Sequence, residues 1–391
     1  MKSIRDIDVS DKNVLVRVDY NLPMDENQKI TDDNRIKATL PLLEYLIGKG
    51  AAMILMSHMG RPDGEKIQKL SLAPAATRLS ELLNQKVSFI DDCLGQKVEE
   101  KVKQLKKGDI LLLENLRFYK QEKSNDPDFA KKLAGLCDIY VNDAFAVSHR
   151  DQASITGITQ YAPVSVAGFL LEKELKSFYD SVENPKRPLV AIIGGAKVSG
   201  KLEALENMLK FVDKLIIGGA MANTFLKSQA IDTKGSLIEN DLVDTAAEIV
   251  KKAKAKGVEL LLPIDLIAAD KLANDALIKE VDLDNIPDNW MALDIGPRTG
   301  ELYAKAIADA GTIVWNGPMG VFEMDKFIGG TQKIANAVAE SNAFSIIGGG
   351  DTGLAVKKCN IADNVSYIST GGGAFLHLME GKQLPGAKVL E

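Results

Sequence analysis

Short runs of Val, Ile and Leu alternate along the chain with longer stretches in which apolar residues recur at helical spacing. That alternation predicts repeated βα units and mostly parallel sheets. In the first half the runs predict strands at Val14–Val18, Ala52–Met56, Asp109–Leu113 and Ile139–Val141. In the second half they predict strands at Leu189–Ile193, Lys214–Ile217, Glu259–Leu262, Thr312–Trp315, Phe344–Ile347 and Ser366–Ile368. Amphipathic stretches such as Arg35–Lys49, Ser199–Lys210 and Thr299–Ala308 predict the intervening helices. One further helix, Gly168–Glu183, bridges the halves and is stopped by Asn184-Pro185-Lys186-Arg187-Pro188, because proline cannot continue a helix. The expected fold is α/β: two Rossmann-like parallel-sheet lobes joined by a long helix and a hinge. The lobes are placed at 1–170 and 186–375, with 171–185 as the connection.

Length agrees with two lobes, since 391 residues exceed one ordinary core. A net charge of -6 removes any global attraction to nucleic acid or acidic membranes, so an anion must be bound by a local cluster. The 3 cysteines, Cys93, Cys137 and Cys359, lack metal-ligand spacing and read as thiols in a reducing compartment. No apolar run approaches membrane-spanning length and the charged N-terminus lacks a signal-peptide core, so a cytoplasmic protein is expected.

Ligands of open α/β sheets bind beyond the carboxyl ends of the strands, and there the two halves differ. After the first-half strands come Asp19-Tyr20-Asn21, Ser57-His58-Met59-Gly60-Arg61-Pro62, Glu114-Asn115-Leu116-Arg117-Phe118, and Asn142-Asp143 followed by Ser148-His149-Arg150. Arginine forks match carboxylate and phosphate oxygens, so this lobe suits a small, multiply charged anion. After the second-half strands come Gly194-Gly195-Ala196-Lys197, Gly218-Gly219-Ala220, Asn316-Gly317-Pro318, Gly348-Gly349-Gly350-Asp351-Thr352-Gly353 and Gly371-Gly372-Gly373. Glycine lets backbone amides approach phosphate oxygens at helix N-termini, so this lobe suits a nucleotide.

A lone arginine or glycine turn is more often a solvated charge or a plain turn; the clustering is what favours binding. Two generic motifs match incompletely. Gly195–Lys201 has P-loop spacing, but Leu202 stands where Ser or Thr would hold magnesium. Gly348–Gly353 has dinucleotide-loop spacing, but Ser369-Thr370 replaces the acid that would meet a ribose. A P-loop NTPase would use Lys201 without the arginines, and a non-enzymatic relative would bind nucleotide without turnover.

The ordered series Val18-Asp19-Tyr20-Asn21, Ser57–Pro62, Glu114–Phe118, Gly194–Val198, Leu293–Pro297, Asn316-Gly317-Pro318, Gly349–Thr352 and Ser369–Gly373 resembles the phosphoglycerate kinase family over essentially the whole chain. The resemblance implies transfer between 1,3-bisphosphoglycerate and ADP, giving 3-phosphoglycerate and ATP. It assigns Asp19, Asn21, Arg35, His58, Arg61, Arg117 and Arg150 to phosphoglycerate. It assigns Lys197, Lys201, Gly219, Asn316, Glu323, Gly350, Asp351, Thr352 and Gly353 to ADP or ATP, with Asp351 as ligand of the accompanying Mg2+ and Glu323 on the ribose. Arg35 and Lys197 are expected to neutralise the transferring group, helped by Lys201 and by the helix starts at Gly350 and at Gly372-Gly373. It also implies lobe closure, a tail at 376–391 packed on the N-terminal lobe, a monomer, and small-molecule substrates rather than nucleic acid or membrane partners. Gly200, Phe375, His377 and Ala146-Val147-Ser148 depart from the commonest family pattern.

Overall fold

The computed structural model describes residues 1–391. The chain packs as two compact units, residues 1–175 with 383–391, and residues 176–382. The division falls inside the helix Phe169–Glu183.

Each unit is built on a six-stranded, wholly parallel sheet. In the first unit the order across the sheet is Val87–Phe89, Ile110–Leu112, Ala52–Met56, Asn13–Arg17, Ile139–Asn142, Ser165–Ala167. In the second it is Tyr367–Ile368, Phe344–Ile347, Thr312–Asn316, Leu189–Ile193, Lys214–Ile217, Glu259–Leu261. Central parallel strands covered by helices on both faces tend to be apolar runs: Leu189–Ile193 and Ala52–Met56 are apolar and buried at every position.

Strand order fixes where a ligand can enter. In the second sheet the chain moves outward from Leu189–Ile193 in one direction, then returns to add Thr312–Asn316 on its other side. The crevice at that reversal opens above the carboxyl ends of these two strands. In the first sheet the same reversal separates Asn13–Arg17 from Ile139–Asn142.

Three features differ from the sequence expectation. An antiparallel sheet of Asp265–Ala269, Ile278–Asp282 and Met291–Ile295 is inserted between Glu259–Leu261 and Thr312–Asn316. Its edge strand Ile278–Asp282 buries only Val281, so it carries no apolar run to reveal it. The edge strands Val87–Phe89 and Ser165–Ala167 are also additional, and too short to stand out as apolar runs. The helix expected at Ser199–Lys210 spans only Leu202–Met208, because the Ser199 amide donates to the Glu239 carboxylate (3.0 Å) and holds its end as a turn.

Candidate active site

In the first unit, Asp19 and Asn21 follow the central strand Asn13–Arg17, and Arg35 lies in the first turn of the helix Asn34–Lys49. Arg35 Nη1 donates to Asp19 Oδ2 (2.8 Å) and to the Asn21 carbonyl (3.0 Å). Asn21 Oδ1 accepts from the Gly60 amide (2.9 Å), which ties the turn carrying His58 and Arg61 to the same edge. His58 is buried, with Nδ1 3.7 Å from Asp19 Oδ1. Arg117, in the turn after Ile110–Leu112, donates from Nη1 to the Gly60 carbonyl (2.8 Å). Arg150 is half-buried and donates through Nε to His149 Nε2 (3.4 Å), while Arg61 stands exposed beyond Gly60.

The structure adds Arg17, which sequence reasoning passed over. This last residue of its strand is fully buried. Its Nε donates to Ser154 Oγ (2.8 Å), its Nη2 lies 3.3 Å from His58 Nδ1, and Glu122 is 4.0 Å away. An arginine inside Val16-Arg17-Val18 was the available signal, since a buried cation needs dedicated partners.

This cluster holds more positive charge than it neutralises. Burial is the main cause that pushes His58 well below its ordinary value, and Arg17, Arg117, Arg35 and Arg150 each push it further. His58 is therefore neutral near pH 7, and with Nδ1 facing the Arg17 donor its proton belongs on Nε2. Burial, then Arg17 and Arg150, lower the Arg117 guanidinium to about 10. Its Nε and Nη2 are buried without a hydrogen-bond partner. Buried donors left open among repelling cations are suited to an anion. Arg117→Met should accordingly leave the urea-unfolding midpoint at or above wild type while weakening the binding of a small dianion at least tenfold, on the order expected for a charged hydrogen bond. Isothermal titration with 3-phosphoglycerate beside the unfolding curve checks both halves.

In the second unit the glycine turns interlock. A Cβ on Gly194 would lie 2.1 Å from the Pro318 carbonyl oxygen, one on Gly219 2.4 Å from the Gly195 nitrogen, and one on Gly349 2.6 Å from the Ser369 carbonyl oxygen. Lys201 spans the reversal point of the sheet. Its Nζ donates to the Gly194 carbonyl (2.7 Å) after one central strand, and to the Asn316 carbonyl (2.9 Å) and Oδ1 (2.5 Å) at the end of the other. Burial lowers this ammonium to about 8, and Asp351 opposes the shift. The Gly317 amide donates to Thr352 Oγ1 (2.7 Å), which locks the first turn of the helix Asp351–Lys358 to the same point. Gly350 caps that helix and Gly353 lies in its first turn.

Lys197, Asp351 and Gly373 are exposed around this knot. Glu323 is not drawn into it: it is exposed, and its carbonyl accepts from Lys358 at the far end of the helix (3.0 Å). No cluster of three or more metal-ligating side chains occurs. A magnesium ion carried by phosphates needs only one or two carboxylates and keeps several waters, and Asp351 at the exposed helix start fits such an ion. Two of the departures from the family pattern are accommodated. A Cβ at Gly200 would meet nothing within 4 Å, and Phe375 is fully buried edge-on against Phe178, with ring centroids 5.5 Å apart.

Comparison with known proteins agrees with this arrangement. The family model described as phosphoglycerate kinase matches residues 4–382. A phosphoglycerate kinase of Desulforapulum autotrophicum is 64% identical over 391 residues, covering 100% of both chains. One of Desulfotalea psychrophila is 55% identical, again over 100% of both. Among solved structures, the phosphoglycerate kinase of Coxiella burnetii superposes with a TM-score of 0.89 at 46% identity, covering 99% of this chain and 98% of the other. That of Pyrococcus horikoshii gives 0.87 at 35% identity, covering 100% and 98%.

Proposed function

Because this chain belongs to the phosphoglycerate kinase family, and so moves a phosphoryl group reversibly between 1,3-bisphosphoglycerate and ADP to give 3-phosphoglycerate and ATP, we propose how its residues divide that work. Asp19, Asn21, Arg35, His58, Arg61, Arg117 and Arg150, with Arg17 added, take the phosphoglycerate. Lys197, Lys201, Gly219, Asn316, Glu323 and Gly350–Gly353 take ADP or ATP. The observation that carries the first half is Arg117, whose open Nε and Nη2 lie buried among other arginines. The interlocked glycine turns around Lys201 support the second.

In the ATP-consuming direction the nucleophile is a carboxylate, ionised at neutral pH with a pKa of about 4. No general base is required, and a neutral, buried His58 serves as a hydrogen-bond donor. What the protein must supply is position and charge neutralisation. Arg35 is suited to this: Nη1 alone makes its internal bonds, and 32% of the side chain is exposed, so the rest of the fork can reach the transferring group. Lys197 is exposed beside the glycine turns and meets the same group from the nucleotide side. The amides at the helix starts Gly350 and Gly372-Gly373 stabilise developing phosphate charge. Asp351 would hold magnesium, which when bound offsets charge on the nucleotide phosphates.

Donor and acceptor lie on different lobes in this reading, so the lobes close by hinge bending to bring them in line and exclude water from the acyl phosphate. The enzyme is read as a monomer on the family resemblance, and as cytoplasmic on its unpaired thiols. The test is turnover of 3-phosphoglycerate with Mg-ATP, drawn forward by an NADH-consuming dehydrogenase. Steady NADH oxidation that needs both substrates is expected; tight nucleotide binding without turnover would overturn the assignment.

A further inference from the structure

The chain passes between its two units twice, inside the helix Phe169–Glu183 and after Lys382. Both connecting segments are gripped in the first unit by two consecutive residues, Asn142 and Asp143. Asn142 Nδ2 donates to the Gly386 carbonyl in the tail (2.9 Å) and to Ser148 Oγ (3.1 Å), and the Gly386 amide returns a bond to the Ser148 carbonyl (2.9 Å). Asp143 Oδ1 accepts from the amides of Leu170 (2.7 Å) and Leu171 (3.3 Å) in the first turn of the connecting helix. Glycine allows the close approach on both sides: a Cβ at Gly168 would sit 2.3 Å from Asp143 Oδ1, and one at Gly386 would crowd Asn142 Nδ2 at 3.0 Å and Ile155 Cγ2 at 2.6 Å.

The same pair is wired to the arginine cluster. The Asp143 amide donates to the Arg17 carbonyl (2.9 Å), and the Arg17 side chain meets His58. Ser148, which holds the tail, lies two residues before Arg150. Arg17 and Arg150 are two of the cations whose mutual repulsion an anion would relieve.

We propose that Asn142 and Asp143 form a paired clamp that fixes both connecting segments to the substrate end of the first sheet, making Asp143 a positioning residue for the reaction. This rests on lobe closure as read above. When an anion draws the arginines together, the Arg17 and Arg150 backbones shift, and the clamp passes that shift to both connections at once rather than letting them slip. A helix gripped through a buried carboxylate moves with its sheet. Asp143 touches neither substrate in this reading; it acts through the helix start. Burial raises its carboxyl to about 8, so the neutral carboxamide introduced by Asp143→Asn can accept from the same two amides.

The experiment measures kcat, the KM for 3-phosphoglycerate, and the small-angle X-ray contraction on adding both substrates, in wild type, Asp143→Ala, Asp143→Asn and Gly386→Ala. Wild type should contract. Asp143→Ala should lose most of the contraction and about tenfold in kcat, as for a gating defect, with KM within about twofold. Asp143→Asn should restore both. Gly386→Ala, a smaller change on the Asn142 side, should reduce kcat and contraction in the same direction, and it decides the matter if Asp143→Ala fails to fold. Wild-type behaviour in both Asp143→Ala and Gly386→Ala overturns the clamp and leaves closure standing, as does an effect confined to KM. A wild type that does not contract overturns closure and the clamp with it.

Discussion

Arg35→Ala is expected to lower kcat for 3-phosphoglycerate phosphorylation by about 10²–10⁴, the range seen when one group that stabilises transferring charge is removed. The KM for Mg-ATP should change little, because Arg35 belongs to the first unit and the nucleotide residues to the second. The fold should survive, since Arg35 is part-exposed at a helix start. Removing it strips Asp19 of its 2.8 Å partner, but Asp19 keeps a contact to the Asn21 amide (3.1 Å). Arg35→Lys should fall between the two, restoring charge without the planar fork. Steady-state kinetics in the coupled assay read all of this. A kcat within about threefold of wild type would remove Arg35 from the transfer step, and a rise in KM alone would make it a ground-state contact.

The second large effect is expected at Gly317. Its φ of 102° lies where side chains are strained, and an added Cβ would stand 2.2 Å from the Gly194 carbonyl oxygen and 2.6 Å from Lys201 Nζ. Gly317→Ala must therefore spread the two central strand ends and displace the ammonium that joins them. A loss of stability on the order of 3 kcal/mol is expected in the second unit. Mg-ADP should bind at least tenfold more weakly, because the amides that approach phosphate are no longer aligned. Both tryptophans, Trp290 and Trp315, lie in the second unit, and Trp315 Nε1 donates to the Gly317 carbonyl (2.7 Å). Tryptophan fluorescence during urea unfolding thus reports this unit alone, and titration with Mg-ADP gives the affinity. Unchanged unfolding and affinity would mean that the turns are pliable and that the glycines are incidental.

Much of the α/β framework was legible because buried parallel strands must be nearly all apolar. Leu189–Ile193, Lys214–Ile217 and Phe344–Ile347 have the bounds that the sequence predicted for them. Where burial is one-sided or brief, that signal vanishes: Ile278–Asp282 alternates charges around a single buried valine, and Val87–Phe89 is too short to stand out. The helix after Leu189–Ile193 was read too long because helix propensity does not register Glu239, distant in sequence, which holds Ser199 out of the helix.

The sequence by itself determined which chemistry sits at each strand end, arginine and histidine in one half and glycine with lysine in the other, because residue type at a strand terminus is local information. Convergence was decided only by the tertiary structure. Strand order brings the ends of Leu189–Ile193 and Thr312–Asn316 side by side so that Lys201 can bridge them. Parallel packing likewise brings Arg17, Arg117 and Arg150 close enough to repel one another and to keep His58 neutral. Burial then turns Arg17 from a residue in a valine-rich strand into a buried cation beside His58, and Asn142 and Asp143 hold the tail and the start of the connecting helix. Those properties depend on distances across the chain and on exclusion of water, neither of which is written in local residue order.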